Sequence, residues 1–243
     1  MKIFNITFYL IAAAFLFTAT SCKKDKATEV SCTVKSVRSI SSTALIEYDA
    51  SGFITTKTDS ASGTYTLYTT NDTLLTQQGY TATGATSGSP HYYIINAEGL
   101  IVESIGSDTT FYTYNSNEQL IKATTGSGAN LTGWTINTFA EDNLATSVVY
   151  DALGNITRTV NIDYYTDMEN KGNLNFIYSY FSDNRYGKST KNLIRKVQTS
   201  NGGTIKYNTL SYNLDANGYV TDFNLLTQPD NTYISVALGY SCN

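Results

Sequence analysis

Five cations crowd one short stretch of an otherwise acidic chain: Arg185, Lys188, Lys191, Arg195 and Lys196, in a protein with 16 Lys+Arg against 20 Asp+Glu and a net charge of −4. Gathered on one face, they would form a candidate patch for anionic lipid headgroups or acidic glycans. The plainer alternative is a solvated loop and helical turn. Other reactive groups are sparse. His91 is the sole histidine, which excludes a multi-histidine metal centre and a paired-histidine acid and base. Neither a Gly-x-Ser-x-Gly elbow nor a phosphate-cradling glycine loop is present. No local signal marks a glycosidase-type carboxylate pair. The sequence therefore predicts no catalytic residue, no metal and no cofactor. Its acidic balance also argues against nucleic acid, whose binding is dominated by basic contacts to phosphate.

The most prominent carboxylates have a structural task. Tyr48-Asp49-Ala50-Ser51-Gly52-Phe53-Ile54-Thr55 is matched closely at Tyr150-Asp151-Ala152-Leu153-Gly154-Asn155-Ile156-Thr157 and at Leu214-Asp215-Ala216-Asn217-Gly218-Tyr219-Val220-Thr221. Looser copies begin at Ile95, Tyr114 and Phe139. In each close copy an Asp (Asp49, Asp151, Asp215) opens a turn by accepting from the backbone two residues on. The Gly three residues later (Gly52, Gly154, Gly218) takes the left-handed conformation. This is the chemistry of a type I turn with a G1 bulge joining antiparallel strands. Apolar residues lead into the turns at alternate positions, such as Ile46 and Tyr48, or Leu210, Tyr212 and Leu214, so one face of each strand is buried. On the way out, Ile54, Ile101, Ile156 and Val220 are placed to pack beside the incoming strand.

Composition agrees with strands: 20 Tyr, 2 Pro and abundant Thr, Ser and Asn. The expected fold is all-β, a curved antiparallel meander or open barrel of roughly a dozen strands built from repeated β-hairpins. The Gly, Ser and Thr-rich stretches at 79–90 and 124–133 read as loops.

At the N-terminus, Lys2, an apolar run from Ile3 to Phe17, and small residues Thr18 to Ser21 precede Cys22, the layout of a secretory signal peptide. The run is short for a membrane-spanning helix of about 20 residues and carries Asn5 and Thr7. The segment resembles a lipoprotein signal, which implies cleavage after residue 21 and acylation of Cys22. The following Lys23, Lys24 and Asp25 resemble the start of Bacteroidetes-type lipoproteins, which implies an outer-membrane lipid anchor on the periplasmic face or the cell surface. The expected organisation is a signal at 1–21, a lipidated flexible tether at 22–31 and a single β domain at 32–243. With Cys22 taken by lipid, Cys32 and Cys242 remain, either as a disulfide clasping the domain or as two buried thiols. Asp59-Ser60-Ala61, Asp72-Thr73-Leu74 and Asp108-Thr109-Thr110 resemble acceptor triplets for O-glycosylation.

The hairpin copies resemble the YD repeats of large secreted β-rich toxins. The C-terminal third is more similar to an uncharacterised family of Bacteroidetes lipoprotein domains with a porin-like, curved antiparallel fold. The matching residues are Gly187-Lys188-Ser189-Thr190-Lys191-Asn192-Leu193, the Asp215 hairpin, and Gly239-Tyr240-Ser241-Cys242. The resemblance implies a scaffold without catalytic residues. Two functions follow as expectations: a membrane-anchored lipid- or glycan-binding module, or a structural protein docking another component of the cell envelope. A binding module predicts a roomy hollow, whereas a docking protein predicts a filled core and an exposed apolar patch.

Overall fold

Every strand hydrogen-bonds to the next in the chain, and the last returns to the first, closing a barrel of sixteen antiparallel strands. The structure is a computed structural model describing residues 32–128, 130–174 and 184–242. The strands are β1 (Cys32–Arg38), β2 (Thr43–Tyr48), β3 (Ile54–Asp59), β4 (Tyr65–Asn71), β5 (Leu74–Tyr80), β6 (Thr86–Ile95), β7 (Ile101–Ile105) and β8 (Thr109–Tyr114). They continue with β9 (Leu120–Ser127), β10 (Asn130–Ala140), β11 (Asn143–Asp151), β12 (Ile156–Glu169), β13 (Asn192–Asn201), β14 (Thr204–Leu214), β15 (Val220–Gln228) and β16 (Thr232–Cys242). The signal, Cys22 and the tether to residue 31 lie outside the described residues.

The all-β antiparallel fold is as expected, but closure and sixteen strands correct the expectation of an open meander or open barrel of roughly a dozen. The seam is the pairing of β1 with β16, from Cys32↔Cys242 to Arg38↔Ala237. The count rises because the glycine-rich stretches are strands rather than loops. Residues 79–90 fall largely in β5 and β6, and 124–133 largely in β9 and β10. A Cβ on Gly126 would stand 2.8 Å from the Asn130 carbonyl oxygen across the hairpin, so glycine there permits close strand approach. Asp59 ends β3 with Ser60 and Ala61 in the turn after it, Asp108 precedes Thr109 and Thr110 at the start of β8, and Asp72 and Thr73 link β4 to β5.

The expected turns are present. In the β2–β3 turn, Asp49 Oδ1 accepts from the Ser51 and Phe53 amides at 2.9 and 3.0 Å, and Gly52 has φ +82°. Asp215 does the same for Asn217 and Tyr219 at 2.8 and 2.9 Å, with Gly218 at φ +84°. Register slips at Glu47/Tyr48 and Asn213/Leu214 are the expected bulges. The Asp151 turn has the same hydrogen bonds, to Leu153 and Asn155 at 2.9 and 2.8 Å, yet it sits at the opposite end of the barrel. An even-stranded meander alternates its turns between two ends, and β2–β3 and β14–β15 share one while β11–β12 is on the other. The exit residues respond accordingly. Ile54, Ile101 and Val220 are buried, whereas Ile156 is 61% exposed.

A sixteen-stranded barrel is too wide for strand side chains alone to fill. At the end carrying the Asp49 and Asp215 turns, the described residues that take the space are aromatic side chains and Leu174 of the connection from β12 to β13. The core there unites Val34, Ile46, Ile54, Leu193, Ile194, Leu210, Val220 and Phe223 with Leu174 of the connection, flanked by Tyr48, Tyr164, Tyr165, Tyr212 and Tyr240. Tyrosine hydroxyls donate to neighbouring backbone: Tyr164 to the Leu144 carbonyl (2.9 Å), Tyr165 to Leu210 (3.0 Å) and Tyr212 to Ile194 (2.8 Å). The apolar faces of Tyr164, Tyr165 and Tyr212 thus stay in the core while their polar tips are satisfied.

Candidate functional site

Among the described residues, the opposite end is open. A hollow there of about 820 Å³ is bounded by two unlike walls. On one side stand Val37 of β1, Phe223 and Leu225 of β15, and Ile234 and Val236 of β16. On the other, Lys57 and Asp59 of β3, Thr66 and Tyr68 of β4, and Gln77 of β5 face inward. Their direction follows from the register: Lys57 pairs with the buried Ile46 and with Thr66, Asp59 with Ala44, and Gln77 with Tyr68. Directly opposed residues point to the same face of a sheet. Phe223, 1% exposed, forms the floor, and Ser39 to Ser42 form part of the rim. Burial lowers the Lys57 amine from its ordinary 10.5, as low dielectric surroundings disfavour the ammonium form.

Next to it lies a second hollow of about 350 Å³, lined by Tyr112, Asn137, Ser147, Arg158, Asn208 and, as a shared wall, Leu225. Asn137 is buried and donates to the Leu120 carbonyl at 2.9 Å. Burial raises the Tyr112 hydroxyl above its ordinary 10.0, with hydrogen bonds to Ser104, Tyr186 and Thr110 opposing the shift. Sequence reasoning gave Lys57 and Arg158 no role and read Asp59 only as part of a modification triplet, because each is a lone charge of its sign in a threonine-rich stretch. Only the inward phase of its strand singles it out.

The five cations of the 185–196 stretch do not assemble into one patch. Arg185 is 3% exposed inside the closed end. It donates from Nη2 to the Ile54 carbonyl at 2.7 Å, and its guanidinium stands 5.3 Å from the Phe53 ring and 5.4 Å from Tyr68. Lys188 pairs with Glu118 at 3.4 Å. Both Lys188 and Lys191 border a recess whose other lining residues include Glu98, Glu118 and Glu169, so carboxylates offset the positive charge there. Arg195 pairs with Asp163 at 3.7 Å, and Lys196 lies 4.2 Å over the Tyr207 ring. Four of the five charges are thus engaged locally. The turn residues Asp49, Gly52, Asp151, Gly154, Asp215 and Gly218 stay in hairpin tips and line neither lumenal hollow. Cys32 and Cys242 form a disulfide across the barrel seam.

The fold is shared with two solved structures. A porin-like protein from Bacteroides uniformis ATCC 8492 superposes with a TM-score of 0.61 at 13% identity, covering 88% of this chain and 96% of that one. Another porin-like protein, from Bacteroides vulgatus ATCC 8482, does so with a TM-score of 0.58 at 13% identity, covering 86% and 99%. No protein-family model and no curated protein sequence matches the chain. At this identity the likeness defines a β-barrel architecture and says nothing of activity.

Proposed function

We propose that the chain is a cell-envelope lipoprotein, anchored through acylated Cys22, whose barrel is a non-catalytic binding module holding an apolar or amphipathic molecule in its open lumen. The observation carrying this reading is the hollow itself. About 820 Å³ falls within the roughly 300–1,000 Å³ typical of small-molecule sites. An unbroken apolar wall from Val37 to Leu225 favours a lipid-like occupant over a glycan.

The outer wall supports a place beside the membrane rather than across it. A membrane-spanning barrel turns an apolar band about 25 Å tall toward lipid and keeps its interior polar. Here Lys35, Glu47, Lys122 and Asp163 are exposed along the outward faces of their strands, while Ile46, Leu210 and Phe223 are buried inside. A docking role has one observation of its own, the exposed Leu74, Tyr92, Ile105 and Phe111 on the outside of β5 to β8.

The test is organic extraction of the full chain purified from its own membranes, compared with Ala44→Trp, which obstructs the hollow. The expected result is lipid near one molecule per wild-type chain and little in the variant. Equal lipid in both overturns the lumen reading. Cys22→Ser should move the protein from the membrane fraction to the soluble one.

A further inference from the structure

We infer that the lumen selects a single-chain amphiphile with an anionic head, the head held by Lys57 and the chain lying along the apolar wall of β1, β16 and β15. The inference rests on the lumenal reading above and names the ligand class.

The argument starts from placement. Lys57 projects inward from the row Ile46↔Lys57↔Thr66, so its stem begins beside the core and its amine reaches the hollow. Across that hollow stand Val37, Leu225, Ile234 and Val236, with Phe223 as floor. A molecule touching both walls needs one charged or strongly polar end and one apolar body. A wholly apolar ligand would strip water from Lys57 and give it nothing in return. An oxyanion would supply a charge-assisted hydrogen bond in partly dry surroundings. Asp59 lines the same hollow, and an ammonium with three donors can hold protein partners and a ligand oxygen together. The lowered proton affinity of Lys57 points the same way, since burial disfavours the ammonium and an entering anion restores it. Arg158, lining the adjoining hollow beyond Leu225, adds a second positive charge to the lumen.

A photoreactive sixteen-carbon fatty acid and the matching fatty alcohol test the assignment. Each is cross-linked to the full-length protein in native membranes, and the labelled peptides are mapped by mass spectrometry. The carboxylate should label β15 and β16 about tenfold more than the alcohol, the discrimination expected of one hydrogen bond to a charged group. Lys57→Met should abolish the preference, and Lys57→Arg should keep most of it. Equal labelling of the wild type by the two probes overturns the head assignment without requiring any variant. So does an unchanged preference in Lys57→Met. Either result leaves the lumenal reading standing if Ala44→Trp suppresses lumenal labelling by both probes. Undiminished labelling in Ala44→Trp defeats the lumenal reading itself.

Discussion

The two ends of the barrel are built from the same hairpins and have opposite characters. At one end the Asp49 and Asp215 turns, the disulfide and the β12–β13 connection enclose a core in which Ile46, Leu193 and Phe223 are nearly without exposure. At the other, Ile40 and Leu153 stand fully or largely in solvent and the hollow opens. The difference lies in what enters the ring, not in the ring. Among the described residues, the closed end receives Leu174 and Arg185 from the β12–β13 connection. Residues of this connection thus help to fill one end of the ring, and stability and the proposed binding can be assigned to separate halves.

Three measurements would break or sharpen that division. The largest effect belongs to Phe223→Ala, which opens a cavity beneath the floor and should cost about 4 kcal/mol in urea unfolding. Ile234→Ala, at a site 41% exposed in the upper wall, should cost less than about 1 kcal/mol. Comparable losses at both sites would dissolve the division. Next, reducing the Cys32–Cys242 bond, which spans 210 residues, should remove roughly 2–4 kcal/mol through the freer unfolded chain. An unchanged urea midpoint after reduction would contradict it.

The smallest effect concerns pH. Burial first, then the neighbouring Tyr165 and Tyr164, raises the Tyr212 hydroxyl well above 10.0. A group whose native value is raised contributes stability that is complete below its unfolded value, about 10, and declines as pH climbs toward the native one. Wild-type stability should therefore fall between pH 9 and 11. Tyr212→Phe, which loses the bond to the Ile194 carbonyl, should be about 1 kcal/mol weaker at pH 8 yet fall less steeply. Parallel decline in both proteins would exclude Tyr212 as a source.

Local chemistry was legible in the sequence: Asp49, Asp151 and Asp215 each accept the amides expected of them. What could not be read was which end each turn occupies. Ile54 and Ile156 hold the same place in near-identical motifs, yet one is buried and the other 61% exposed, because end is set by the parity of strands between them. Closure was hidden for a similar reason, since β1 and β16 meet only after the whole sheet has curved. Spacing along the chain also misrepresented the cations. Arg185 to Lys196 are neighbours in sequence, but the first is buried in the closed end and Arg195 pairs on the outer wall.

The seam between β1 and β16 also orders events in time. Each of the other fifteen pairings joins consecutive strands, so the sheet can zip progressively as the chain emerges. Only the seam joins the first strand to the last, so β1 must wait for β16. Until then β1 presents an unpaired edge, a template for association with other chains, and the lumen has no complete wall. Contacts this distant in sequence form slowly. The Cys32–Cys242 bond thus acts as a latch: once oxidised, it holds the last-made contact shut, and reopening the ring requires a reductant as well as a fluctuation.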